Sequence, residues 1–364
     1  MKKIVYLSFI VLLLSCCTNK GDNIINASFP NAGENVISWL DMFPEMEMIR
    51  LTGEQLPMLN PWSYLIVREG MYYVIDQRHT QKVHRFNQNG IFQNSIGSHG
   101  RGPNEHLYLT DVMVDNDGNV LIYSMGSGSL LTYSPDGVFL ERTELSYSPE
   151  RFATLSGFNY HYMGSGSGMD YRLYVTDANG QAVGAFLPSP IAPPIPNNQT
   201  FSLFDSILNL CYSEGNDIYQ LKDGKMEVKY SFNFGAYNIP KEFYQCNDYR
   251  ELSGFFAKGL AMKNAFYENK HCAVLEVVVE MIKEYKVFYG VLNKQKNVWE
   301  WFNWRGEDDF VFLRYFDDEY AYFTAEPELM RQVSELTDRF PELKTVTDSE
   351  GMVILRAKTA TAKL

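Results

Sequence analysis

Short runs of β-branched and aromatic residues recur along this chain, each closed by Asn-Gly or Asp-Gly and followed by another such run. Tyr73-Val74-Ile75-Asp76 leads to Val83-His84-Arg85-Phe86-Asn87-Gln88-Asn89-Gly90-Ile91-Phe92. Val120-Leu121-Ile122-Tyr123 leads to Leu130-Leu131-Thr132-Tyr133-Ser134-Pro135-Asp136-Gly137-Val138-Phe139, with the two turns 47 residues apart. Weaker copies follow at 171–180 and 217–225. Residues that favour a pleated surface form each run, and Asn-Gly tolerates the positive φ of a tight hairpin. Each unit therefore predicts an antiparallel meander of about four strands, the size of a propeller blade.

A single blade cannot bury both its faces, so the units must stack around a ring. The blades read as 60–97, 107–147, 150–188, 199–236, 253–303, and 308–325 with the chain ends. The last two lack a clean Asn-Gly signature. The runs 46–51 and 352–356 are both candidates for the strand that closes the ring. The proline-rich run 188–196 predicts a stiff surface connection, and 328–340 predicts one amphipathic helix opened by Pro327 and stopped by Pro341. The fold expected is all-β, a propeller occupying 45–364 with one short C-terminal helix.

The first residues stand apart from this pattern. Lys2 and Lys3 precede an apolar run from Ile4 to Leu14 that is too short to span a bilayer. It ends in Leu13-Leu14-Ser15-Cys16, which resembles a bacterial lipobox. Residues 1–15 are expected to be a signal peptide and Cys16 the lipidated N-terminus. Residues 16–44 then form a flexible tether, and acyl chains hold the protein on the outer membrane without a spanning helix.

Ile96-Gly97-Ser98-His99-Gly100-Arg101-Gly102-Pro103-Asn104-Glu105, followed by Val112 to Val120 with its Asp115 and Gly118-Asn119, resembles six-bladed β-propeller lipoproteins of Gram-negative gut-type bacteria. It is also similar to the wider NHL-repeat propellers. Gly97, Gly100, Gly102, Pro103 and Glu105 carry the likeness, which is sharp over 60–145 and extends to 45–357. The resemblance implies a blade number of six and no particular activity.

Composition narrows the function classes. A net charge of −12 and no Lys/Arg cluster argue against nucleic acid as a partner. Cys211, Cys246 and Cys272 match no zinc spacing, and three thiols cannot all pair internally. Asp115-Asn116-Asp117-Gly118-Asn119 starts like a calcium loop but has Gly126 where an acidic ligand is required, so it reads as a hairpin turn. Gly164-Ser165-Gly166-Ser167-Gly168 lacks the Lys and helix of a phosphate loop. No metal site and no cofactor are expected.

Two candidate ligand sites remain. His99, Arg101 and Glu105 lie in the glycine-rich connection between the first two blades, where polar groups can meet a ligand at a channel mouth. Trp299 and Trp301 share one face of a strand and can stack on a sugar, although rings of this kind more often pack between blades. No catalytic residues are identified. The leading expectation is a membrane-anchored module for a small molecule, glycan or protein; the alternative is a propeller lyase or hydrolase, possibly on glycans, acting at the central channel.

Overall fold

A computed structural model describes residues 24–31, 33–164, 167–190, 195, 197–280, 285–304, 310–347 and 351–362. The signal-peptide segment and Cys16 lie outside the described residues, as does most of the proline run. The remainder forms six sheets, one per blade, so the expected all-β six-bladed propeller is the fold.

The first blade holds β4 (Tyr64–Arg68), β5 (Met71–Asp76), β6 (Lys82–Phe86) and β7 (Phe92–Ile96); the second holds β8 (Asp111–Val114), β9 (Val120–Ser124), β10 (Ser129–Tyr133) and β11 (Phe139–Glu144). The third comprises β12 (Arg151–Leu155), β13 (Phe158–Tyr162), β14 (Tyr171–Asp177) and β15 (Ala182–Pro188). The fourth comprises β16 (Phe201–Phe204), β17 (Ile207–Leu210), β18 (Asp217–Lys222) and β19 (Lys225–Asn233). The fifth has β20 (Leu260–Glu268), β21 (Cys272–Glu280), β22 (Tyr285–Asn293) and β23 (Val298–Trp304). The sixth has β24 (Val311–Phe316), β25 (Tyr320–Ala325) and β26 (Val353–Lys358), completed by β3 (Met46–Arg50).

Both closing-strand candidates are thus used, side by side: β3 pairs antiparallel with β26 from Arg50 opposite Val353 to Met46 opposite Ala357. The sixth blade lacks an Asn-Gly turn before its fourth strand because that strand arrives from the other end of the chain. In the fifth blade Asn297, at φ 55°, takes the place of the glycine.

The middle strands are buried on both faces, as β5 shows with five of its six residues buried, whereas β11 on the outside is mostly exposed. Neighbouring blades are joined at the glycine turns. A Cβ on Gly90 (φ +76°) would lie 2.0 Å from the carbonyl oxygen of Arg50, and Gly137 and Gly224 abut the preceding blade in the same way, at Asn94 and Phe158. The Gly90 contact is where the ring closes, with Thr52 N–H donating to Gly90 O and Phe92 N–H to Thr52 O.

The flexible tether expected over 16–44 is corrected from Ile24 onward. β1 (Ile24–Asn26) adds a parallel fifth strand to β19, and β2 (Val36–Ile37) does the same to β23. The short helix α1 (Trp39–Met42), capped by the Ser38 hydroxyl, then places Trp39, Met42 and Phe43 in the core of blades five and six. Asn and Gly give this segment a loop-like composition, but Ile25, Phe29, Ile37, Trp39, Met42 and Phe43 pack in or against the cores, while Ile24 and Val36 stay exposed.

The single late helix is also corrected. It is broken into α3 (Pro327–Arg331) and α4 (Ser334–Arg339), because Val333 takes an extended conformation between them. Met330, Leu336 and Phe340 are buried while Leu329 and Val333 are exposed, which a continuous 3.6-residue stripe would not give. The insertion between blades four and five carries a further helix, α2 (Tyr249–Phe256), capped by Asp248 and seated through Leu252.

Candidate functional site: the central channel

The inner strand of every blade, β4, β8, β12, β16, β20 and β24, is paired on one side only, so its open edge faces the propeller axis. Together these edges enclose a cavity of about 160 Å³. Ile66, Val112, Phe152 and Phe201 supply apolar wall, and Asp111, Arg151, Gln199 and Ser202 supply polar groups. A few convergent polar groups on an apolar wall are the usual make-up of a small-molecule site.

Asp111 is the best-defined of these groups. Its Oδ1 accepts the Val112 N–H at 3.0 Å and its Oδ2 accepts the Phe152 N–H at 2.9 Å, so one carboxylate ties the inner edges of the second and third blades. Burial pushes its carboxyl above the usual range, while the Arg151 guanidinium and the two N–H donors oppose the shift. The Ser202 hydroxyl is buried without a hydrogen-bond partner among the described residues. Buried hydroxyls are normally bonded, which sets this one apart among the polar groups of the wall.

A second cavity of about 230 Å³ adjoins the ends at which the inner strands begin and shares Tyr64, Ile75, Gln77 and Asn198 with the first. Trp62 stands at its edge, 54% exposed, with its ring 4.3 Å from that of Phe312. Beneath them Arg314 donates to Pro61 O at 3.1 Å and to Thr324 Oγ1 at 3.0 Å, and lies 5.0 Å from the Phe312 ring. Gln77 donates to Thr110 O at 2.6 Å, which leaves its carbonyl oxygen as an acceptor.

Towards the other end, Glu268 is gripped by Lys229 and, at 2.7 Å, by Lys294, with Asn209 and Tyr230 bonding the same carboxylate. Elsewhere a buried pair, Arg172 to Glu214 at 3.0 Å, joins the third and fourth blades. Lys263 donates to the carbonyls of Glu214 and Gly215 there, and burial lowers its pKa to about 8. These groups spend their hydrogen bonds on the protein and serve the blade joints.

The candidates read from the sequence fall away from the cavity walls. Glu105 turns back on its own loop, accepting the Gly102 N–H at 2.7 Å in space that a Cβ on Gly100 would occupy, 2.0 Å from Oε2. His99 bridges to His106 across the same loop, and Arg101 is exposed. The glycines thus serve the loop's own fold. Trp301 is buried against Phe29 of the N-terminal segment (5.1 Å) and Phe232 (6.1 Å), and Trp299 packs on Phe232 (5.1 Å) and Tyr230 (5.5 Å), so both rings join the fourth and fifth blades.

Asp115 forms the expected turn, accepting from Asp117 and Asn119 backbone N–H groups. Cys211, Cys246 and Cys272 are buried free thiols. No group of three His, Cys, Asp or Glu side chains placed to hold a metal occurs among the described residues. No helix among them is long and apolar enough to cross a membrane.

Sequence reasoning missed Trp62, Asp111, Arg151 and Ser202. Their common signal is position: each lies at or just before the inner strand of its blade, a place the repeat itself marks.

The profile of DUF4934, described as a domain of unknown function, matches residues 28–358. A search of curated proteins finds no match. Among solved structures, a Bacteroides fragilis protein described as exported is similar over 92% of this chain and 99% of its own, with a TM-score of 0.74 and 14% identity. A DUF4221 family member from Bacteroides vulgatus is similar over 87% and 97%, with a TM-score of 0.56 and 12% identity. At these identities the likeness is one of fold.

Proposed function

This chain belongs to the DUF4934 family, and we propose that it is an exported, lipid-anchored propeller that binds a small ligand in its central channel. The observation that carries the binding role is the polar set on an apolar wall: the desolvated Asp111 carboxylate, the neighbouring Arg151, and the unpartnered Ser202 hydroxyl. A ligand donor or acceptor placed there would bond the Ser202 hydroxyl, which the described residues leave unpaired. Export is supported by the basic start and apolar run before Cys16, and by the description of the Bacteroides fragilis neighbour. β1 starts eight residues after Cys16, and a residue reaches at most about 3.5 Å, so an anchor on Cys16 keeps β1 within roughly 30 Å of the bilayer.

The binding role is tested by thermal melting of the purified chain against panels of glycans, peptides and small metabolites. Native-state binding must raise the melting temperature. The reading expects a shift with one ligand class, lost in Ser202→Trp, whose indole fills the cavity. Shifts that survive Ser202→Trp place the ligand elsewhere and overturn it. The anchor is tested separately: Cys16→Ala is expected to move the protein from the membrane fraction to the soluble one.

A further inference from the structure

We infer, resting on that reading of the channel, that the cavity beside Trp62 is a saccharide subsite. A large exposed aromatic ring is not unusual by itself. What distinguishes Trp62 is that its position is built. It sits in a tight turn in which its own N–H donates to Asn60 Oδ1 at 2.8 Å and the Ser63 N–H donates to Asn60 O at 2.9 Å. The carbonyl of Pro61 in that turn accepts from two buried side chains, Arg314 at 3.1 Å and Thr324 at 2.6 Å. Phe312 backs the ring at 4.3 Å. Such a platform loses little conformational freedom when a ligand arrives.

The chemistry around it selects the ligand class. The cavity is lined by Gln77, Arg78, His79 and Asn198 as well as by the ring. A pyranose has an apolar C–H face and a perimeter of hydroxyls. Its face matches an indole, and its adjacent hydroxyls match planar amides, which donate and accept, and a guanidinium, which donates two parallel N–H bonds. A flat apolar ligand would make no use of the Gln77 carbonyl oxygen or the other polar groups of the lining, and a simple inorganic anion would make no use of the ring. The two cavities share Tyr64, Ile75, Gln77 and Asn198 in their walls, so a saccharide on Trp62 lies next to the channel that holds Asp111.

The test uses the purified chain and, as probes, methyl pyranosides and di- and trisaccharides of glucose, galactose, mannose, N-acetylglucosamine and galacturonic acid, followed by calorimetry and tryptophan fluorescence. At least one is expected to bind, and Trp62→Ala to weaken it about tenfold or more, while Trp62→Phe retains part of the affinity. Unchanged melting of the ligand-free variants confirms that folding is not the cause. A saccharide that binds equally to Trp62→Ala overturns the subsite. Binding of a different ligand class alone, abolished by Ser202→Trp, overturns the saccharide assignment and leaves the channel reading standing. No binding by any probe or panel member overturns both.

Discussion

Trp39 meets Tyr289 edge to face, with ring centroids 4.4 Å apart. One ring comes from the N-terminal segment and the other from the third strand of the fifth blade, so this contact fastens that segment to the propeller. Trp39 is 1% exposed and also packs on Phe323 of the sixth blade. Trp39→Ala is expected to cost about 3–5 kcal/mol, the range for emptying a large aromatic site. Urea unfolding measures this, and a loss below about 1 kcal/mol would show that the segment is only loosely attached.

Ring closure should be sensitive to a single methyl group. Gly90 has φ +76° and abuts Arg50 O, so Gly90→Ala meets both backbone strain and a backbone clash. The expected loss exceeds about 1 kcal/mol. Gly157 has a similar φ of +79° but open space around its Cβ position, so Gly157→Ala should cost less. The comparison in one denaturant series separates the clash from the strain.

The Arg172–Glu214 pair should matter mainly when it is broken. Both side chains are almost fully buried. Glu214→Gln leaves Arg172 charged without its counter-ion and is expected to cost about 3 kcal/mol or more. Arg172→Met combined with Glu214→Met should recover part of that loss. A double-mutant cycle with no coupling would refute the pair's role in joining the blades.

Acid should weaken the fold through two histidines. Burial lowers the pKa of both His84 and His161 to about 4, below the ordinary value near 6.5. For such a group the unfolded chain takes the proton first. Stability is therefore complete above about pH 6.5 and drains as pH falls through that value towards 4. Between pH 7 and 4.5 each histidine should cost roughly 2 kcal/mol. His161→Phe should flatten the profile, since its ring lies among Tyr147 and Phe152 and its Nδ1 has no partner among the described residues. Urea midpoints across this pH range give the slope directly.

The repeat made most of this fold readable. The spacing of Gly90 and Gly137 marks both the hairpins and the joints between blades, because the same turn serves both purposes. The fifth blade was harder to bound, since Asn297 replaces the glycine, and the sixth because its fourth strand lies far away in sequence. The N-terminal segment carries no readable period, because its two added strands and one short helix bury only a few side chains. The site was less readable still. His99, Arg101 and Glu105 attract notice by their glycines, yet those glycines serve the loop's own packing. Trp299 and Trp301 attract notice by clustering, which reflects packing between blades. Asp111 and Ser202 sit in ordinary strands, and only closure of the ring brings them together.

The central claim is that the channel holds the ligand, and a crystal structure with the ligand giving the largest melting shift tests it most directly. The account predicts density between Asp111, Arg151 and Ser202, extending towards Trp62. Density confined to the outer surface of the blades, with the channel unchanged, would contradict it.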